Sequence, residues 1–396
     1  MLDLSEEDRL VRAAVRAFCD KRLAPVVTPL DRGEMLPYPI MSEFARAFGL
    51  ADVLAATTGS DGDGGDRTGQ RRPFGGRVAR LFSIVMLELS RHSPGFALAF
   101  GASIGLYGGA VLARGTATQI ATWATPVLSF ASIGAWALTE PGAGSDAFGS
   151  MQTRARSDGD GYRLSGQKTF ITNAPHADRF VVFAKTDDGR VSAFLVARDD
   201  RGVATGPAMR KMGMHASPTG ELFLDDVPLP ADRRLSGSGA DEPDPSARAA
   251  AKASLTSERF AMVPMALGIV ERCLEESIRY AKARVQWGRP IAELQLVQDK
   301  IARMYVAERT LGALFLRQIE AETLGTPLSP TEASAAKLYA ARTATECAME
   351  AVQIMGGAGY MSGSVVEMMA RDAKLLQIGG GTDEVQIARI ARDLLA

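Results

Sequence analysis

The sequence predicts a three-part fold: a helical region, then a small antiparallel β region, then a second helical region. Three observations carry this reading. Apolar residues recur at helical spacing up to about Val127, short apolar runs broken by Asp-Gly turns occupy roughly 129–230, and helical spacing then returns and holds to Ala396. A nucleotide-binding α/β protein would interleave strands and helices regularly, so the order itself separates the two classes.

The first element opens at Ser5, where Ser5-x-x-Asp8 has the form of a helix cap, followed by Val11, Ala14, Val15 and Phe18 at helical spacing. Val78–Leu89 and Ile104–Leu112 repeat the pattern between glycine breaks. Thr57–Arg72 has almost no apolar residue to offset its ordering entropy and is expected to be a mobile surface loop. The β region contains the runs SIGAWALT, YRLSGQKTFIT, RFVVFAKT and RVSAFLVA, with turns at Asp158–Gly161 and Asp187–Gly189. Ala231–Ser254 reads as a linker, and the helical remainder has turn signals at Gly288–Pro290, Gly325–Pro330 and Gly356–Gly359. The expected domains are 1–128, 129–235 and 236–396.

Composition excludes several classes of function. With 396 residues the chain can bury two or three cores, and 46% hydrophobic against 23% charged residues is ordinary for a globular protein. Lys plus Arg (45) nearly balances Asp plus Glu (46), so no nucleic-acid partner is indicated. Three scattered cysteines and three histidines provide neither a disulfide framework nor a metal centre. The opening MLDLSEEDRL lacks signal-peptide order and no uninterrupted apolar run reaches membrane length, so a cytoplasmic protein is expected.

Two motifs are decoys. Gly101-Ala102-Ser103-Ile104-Gly105 matches a nucleophile elbow but lies in a helical region, where small residues more often permit close packing. Gly142-Ala143-Gly144-Ser145-Asp146-Ala147 loosely fits a dinucleotide fingerprint, yet a hairpin follows it, without the helix N-terminus that would face a pyrophosphate. Read in full, Ala137-Leu138-Thr139-Glu140-Pro141-Gly142-Ala143-Gly144-Ser145-Asp146 is more specific. In order after it come Gly166–Asn173, Lys211-Met212-Gly213-Met214, Arg284-x-x-Trp287-Gly288-Arg289-Pro290-Ile291 with Gln295 and Gln298, Gln353–Tyr360, Arg371-Asp372-Ala373-Lys374 and Gly379-Gly380-Gly381-Thr382.

This ordered set, spanning nearly the whole chain, resembles the acyl-CoA dehydrogenase family. The resemblance implies an N-terminal helical domain, a central antiparallel β-barrel domain and a C-terminal four-helix bundle, assembled as a tetramer or dimer. It implies FAD as cofactor, an acyl thioester as substrate and electron-transfer flavoprotein as acceptor. Thr139 and Thr172 would donate hydroxyl hydrogen bonds to the isoalloxazine, Phe170 would pack on it, and Trp136, Leu138 and Gly144 would line it. Ser145 would mark the junction of flavin and substrate. Arg284, Gln295, Gln353 and Gly357 would hold the FAD of a neighbouring subunit, with Arg284 suited to the pyrophosphate by its fork geometry, and Trp287 and Gly356 would also contact FAD. Thr382 and Glu384 would contact FAD near the C-terminal glycines. Without the surrounding motifs, most of these would read as loop caps and solvated helix residues.

The reaction requires a base at the carbon α to the thioester carbonyl while a hydride leaves the β carbon for flavin N5. In many family members a Glu precedes the C-terminal Gly-Thr; here that position is Gly380. In isovaleryl- and long-chain-type members the base comes instead from the first long C-terminal helix, just before an Arg. Ser257-Glu258-Arg259 stands there, followed at the end by Gly381-Thr382-Asp383-Glu384-Val385, so the resemblance assigns the base to Glu258. Burial should raise its pKa. Arg259, Gly380 and Gly381 are expected at the substrate, and no metal is expected.

Departures from the common pattern are Phe170 in place of a frequent Trp, His215 in place of a usual Arg, and the irregular segments 57–72 and 231–254. They leave the carrier open between CoA and an acyl carrier protein, the latter typical of polyketide or peptide biosynthesis. A short, branched or specialised acyl chain is expected. The alternatives are a prolyl-carrier-protein dehydrogenase, a flavin monooxygenase or nitroalkane oxidase-like enzyme, and a non-catalytic FAD-binding relative.

Overall fold

The structure is a computed structural model that describes residues 4–56, 76–235, 247–326 and 328–396; the loop expected at Thr57–Arg72 lies outside the described residues. Helix α1 (Glu6–Phe18) starts where its cap predicts, with Ser5 Oγ accepting from the Asp8 N–H at 3.2 Å. Its apolar stripe buries Val15, while Ala14, from the same predicted face, is exposed. Helix α2 (Tyr38–Ala47) and helix α3 (Arg77–His92) complete the first layer.

Pro94–Gly101, Ala102–Gly108 and Gly109–Arg114 form one nearly continuous helical rod, the middle piece in π form. The rod Pro94–Arg114 has the length of a membrane span and a most apolar 18-residue window of mean hydropathy 1.7, contrary to the sequence reading, but 72% of that window is buried within the protein. It is the core helix of the N-terminal part.

Eight strands follow: β1 (Gly134–Ala137), β2 (Arg154–Asp158), β3 (Gly161–Thr172), β4 (Arg179–Thr186), β5 (Val191–Ala197), β6 (Val203–Thr205), β7 (Thr219–Pro230) and β8 (Arg234–Leu235). Their order is β6-β7-β3-β2-β4-β5-β8, with β1 on β4. Two pairings depart from the antiparallel expectation, since β1 and β2 both run parallel to β4. Each connection into a parallel neighbour is a long excursion, which is what a parallel pair requires in place of a tight hairpin. Between the strands lies a separate apolar core that includes Leu164, Phe180, Phe194 and Leu222.

Helix α4 (Ala247–Ala283) begins seven residues before the end of the expected linker, because Ala247–Ala253 is rich in alanine, the strongest helix former. Strands β9 (Val285–Gln286) and β10 (Arg289–Pro290) make a hairpin whose turn residues Trp287 and Gly288 have φ of 48° and 76°. Helices α5 (Gln295–Thr323), α6 (Pro330–Met355), α7 (Val365–Leu376) and α8 (Asp383–Leu395) follow. The first three pack with α4 as a four-helix bundle, and α8 lies along α6. Helices α1, α3 and α4 are joined by a buried charge cluster in which Glu88 receives Arg12 at 2.5 Å and Arg16 at 2.8 Å, while Arg12 also holds Glu271 at 2.6 Å.

Candidate active site

The first half of the site lies where β1 meets β3. Thr169 N–H donates to Thr139 O at 2.9 Å, which ties the loop after β1 to the end of β3. Beneath it, Lys168 is fully buried and its Nζ donates to Leu138 O at 3.0 Å and to Glu140 at 2.8 Å. Glu140 also accepts from the N–H groups of Gln152 (2.6 Å) and Thr153 (3.0 Å). Burial opposes its charge, but Lys168 and these donors outweigh burial and hold the carboxyl below its usual range. Burial pulls Lys168 down to about 8. The ion pair fixes the course of the 139–146 loop.

Between Lys168 and Ile171 the register of β3 slips, and Phe170 sits in this bulge with φ of 56° and 67% of its surface exposed. A large aromatic in left-handed backbone and open to solvent is a strained arrangement of the kind that gathers at binding sites. The hydroxyls of Thr139 and Thr172 meet no partner among the described residues. Trp136, packed edge-on against Phe183 at 5.0 Å, has a buried indole N–H without one. Gly142 and Gly144 face open space, so backbone there is bare, and Ser145 is exposed beside them. Free donors, an apolar ring and uncovered backbone suit the isoalloxazine and ribityl portions of FAD.

The second half gathers around Glu258 on α4. Its carboxylate faces Arg259, Lys337 and the Gly380 backbone N–H. A β carbon added at Gly380 would stand 3.6 Å from Cδ of Glu258, so the two sequence positions at which the family places its base share one volume. Burial pushes the Glu258 carboxyl up to about 7, against the pull of Arg259, Lys337 and the Gly380 N–H. Arg259 is buried and its Nε donates to Gly380 O at 3.3 Å. Thr382 caps α8, accepting from Val385 N–H at 3.4 Å, and Glu384 follows it exposed.

A third group remains apart. Arg284, Trp287, Gln295, Gln353, Gly356 and Gly357 are all exposed, and no hydrogen bond, ion pair or ring contact joins them to either half of the site among the described residues. Sequence reasoning missed Lys337 and Gln386, both wholly buried against the Gly380–Gly381 turn. The available signal was Lys337 itself, a lone charge within the small-residue run Ser334-Ala335-Ala336 and Ala340-Ala341. It also left His215 without a role; its ring nitrogens lie 2.9 Å from Asp31 O and from Lys211 O.

Both decoys have structural explanations. Ser103 is buried in the π segment, donates to Gly134 O at 2.9 Å and accepts from Asn173 Nδ2 at 3.1 Å. No helix follows Gly142–Ala147, only turns leading into β2. Among the described residues no cluster of His, Cys, Asp and Glu could hold a metal ion.

Three family models match consecutive stretches: the acyl-CoA dehydrogenase N-terminal domain over residues 5–131, the middle domain over 135–227 and the C-terminal domain over 248–395. A probable acyl-CoA dehydrogenase of Bacillus subtilis, YngJ, is 33% identical, with 99% of each chain covered. The mitochondrial short-chain specific acyl-CoA dehydrogenase of Mus musculus is also 33% identical, over 100% of this chain and 91% of that one. The butyryl-CoA dehydrogenase structure from Megasphaera elsdenii superposes with a TM-score of 0.88 at 32% identity, covering 100% of both chains. The chain belongs to the acyl-CoA dehydrogenase family, its cofactor is FAD, and its activity is FAD-dependent acyl-CoA dehydrogenation.

Proposed function

We propose that Glu258 is the base that removes the α-proton of a short-chain acyl-CoA. The observation that supports this is the shared volume of Glu258 and position 380, where glycine leaves no other carboxylate to do the work. FAD supplies the acceptor for the β-hydride when bound. A Glu258 oxygen takes the α-proton, and the carboxyl's elevated pKa keeps it basic enough near neutrality to do so. Thr139, Thr172, Phe170, Trp136, Leu138, Gly144 and Ser145 would hold the cofactor within the chain, together with Thr382 and Glu384. Arg284, Trp287, Gln295, Gln353, Gly356 and Gly357 complete the cofactor site of a neighbouring copy, which is why they lie exposed in one chain. Electron-transfer flavoprotein is the proposed acceptor.

Similarity to the short-chain and butyryl-CoA enzymes supports a short acyl chain. The glycine-rich segment 101–109 adds no support, because Met86 fills the room at Gly101 and Phe82 the room at Gly105. The test is anaerobic flavin bleaching with paired CoA and carrier-protein thioesters of several lengths. Short acyl-CoA esters should bleach the parent fastest, and Glu258→Gln should retain FAD but lose bleaching by at least a hundredfold. Unchanged bleaching in Glu258→Gln removes the base assignment, and a preference for carrier-protein esters replaces the substrate.

A further inference from the structure

We infer that Arg259, Lys337 and Gln386 form a clamp on the Gly380–Gly381 turn that aims the Gly380 N–H at the Glu258 carboxylate and so positions the base. The inference rests on the reading of Glu258 given above and adds three positioning residues to it. Gly380 and Gly381 have φ of 63° and 94°, so the turn presents its N–H inward to Glu258 and its carbonyls to the surrounding helices. Those carbonyls are fully engaged. Gly380 O receives Arg259 Nε at 3.3 Å and Gln386 Nε2 at 3.2 Å; Gly381 O receives Gln386 Nε2 at 2.9 Å and Lys337 Nζ at 2.8 Å. The three side chains come from α4, α8 and α6, so three helices converge on a two-residue turn. At Gly381 a β carbon would stand 2.8 Å from Gln386 Nε2, so only glycine admits the grip.

Packing alone does not explain Lys337. An ammonium is rarely buried completely, and burial holds this one below its usual range. Its nearest carboxylate, Asp383, is 3.8 Å away and already takes Arg342 at 2.9 Å. The short bond of Lys337 is to the turn, and its charge faces Glu258. The charged surroundings are otherwise mixed: Asp383 and Glu384 of α8 face Lys337, while Arg389 of the same helix faces Arg259. Lys337 and Arg259 therefore favour the ionised base that burial disfavours.

Three variants test the clamp: Lys337→Met, Lys337→Arg and Gln386→Leu. Each is followed by FAD content, by anaerobic reduction with butyryl-CoA against pH, and by infrared titration of the carboxyl band that Glu258→Gln abolishes. Lys337→Met should shift both the acid limb and the carboxyl titration up by about one pH unit, lowering reduction at pH 7 about fivefold. Lys337→Arg should leave both where they are in the parent. Gln386→Leu, which changes no charge, should leave the limb in place and lower the limiting rate about tenfold at unchanged KM. Parental titration in Lys337→Met, or a parental limiting rate in Gln386→Leu, overturns the clamp. Should Lys337→Met fail to accumulate with FAD, the Gln386→Leu rate decides. Reduction that survives Glu258→Gln overturns the base itself, whereas loss there with a parental Lys337→Met overturns the clamp alone.

Discussion

At the scale of the residue, Glu258 is governed by two opposing effects: burial raises its pKa, and a neighbouring cation pair and one N–H lower it, leaving it at about 7. A base must be ionised to act, so flavin reduction should fall about tenfold per pH unit below that value and level off above it. Stopped-flow reduction between pH 5 and 9 checks this; a flat profile would mean another group takes the proton. The geometry also makes the base movable. In a Glu258→Gln background, Gly380→Glu should recover at least a hundredfold in reduction rate, at a backbone cost of about 1 kcal/mol for an L side chain at φ of 63°. Recovery measured with the same acyl-CoA ester, against the single variant, decides it. The pairing of Glu258 with Gly380 was legible in the sequence because both positions sit inside family motifs. Lys337 and Gln386 were not, because no spacing rule links three helices that meet only in the fold.

At the scale of the element, what holds the 139–146 loop is the Glu140–Lys168 pair beneath it. Removing one partner of a buried pair strands the other charge, so Lys168→Met should cost about 3–5 kcal/mol and much of the FAD, read by calorimetry and by the flavin absorbance. The double variant Glu140→Gln, Lys168→Met should regain most of the stability. Ser103 belongs to the same scale: Ser103→Ala removes the acceptor of an Asn173 N–H and the donor to Gly134 O and should cost about 1–3 kcal/mol in thermal unfolding, with flavin reduction by acyl-CoA unchanged. Periodicity and Asp-Gly turns revealed the order of elements, and Ser5 revealed where α1 starts. The parallel placement of β1 and β2 was hidden, since alternation along a strand says nothing about the direction of its neighbours. The early start of α4 was hidden for a different reason. Ser, Gly, Asp and Pro upstream outweighed the alanines that extend the helix.

At the scale of the molecule, the helical and β parts are tied by polar contacts as well as by apolar packing. Asn173 reaches from the end of β3 to Ala99 O at 2.9 Å and accepts from Tyr38 Oη at 3.1 Å, and the guanidiniums of Arg179 and Arg233 lie over the Trp123 ring at 4.8 and 4.3 Å. Such long-range ties cannot be read from a linear pattern. The exposed hairpin points outward instead: Trp287 is 83% exposed beside Arg284, at the residues expected to serve another copy's cofactor. Trp287→Glu should give a smaller species in sedimentation velocity and a lower FAD content, whereas an unchanged sedimentation coefficient would separate the hairpin from assembly.

The left-handed turn at Gly380 also bears on how a chain could arrive at this arrangement. Two carboxylates confined to the space between Glu258 and position 380 would share one proton, and a protein carrying both would be poorly basic at neutral pH. A chain in transit between the two solutions therefore passes through a weakened enzyme whichever position it starts from, and the left-handed backbone at 380 adds only about 1 kcal/mol to the return.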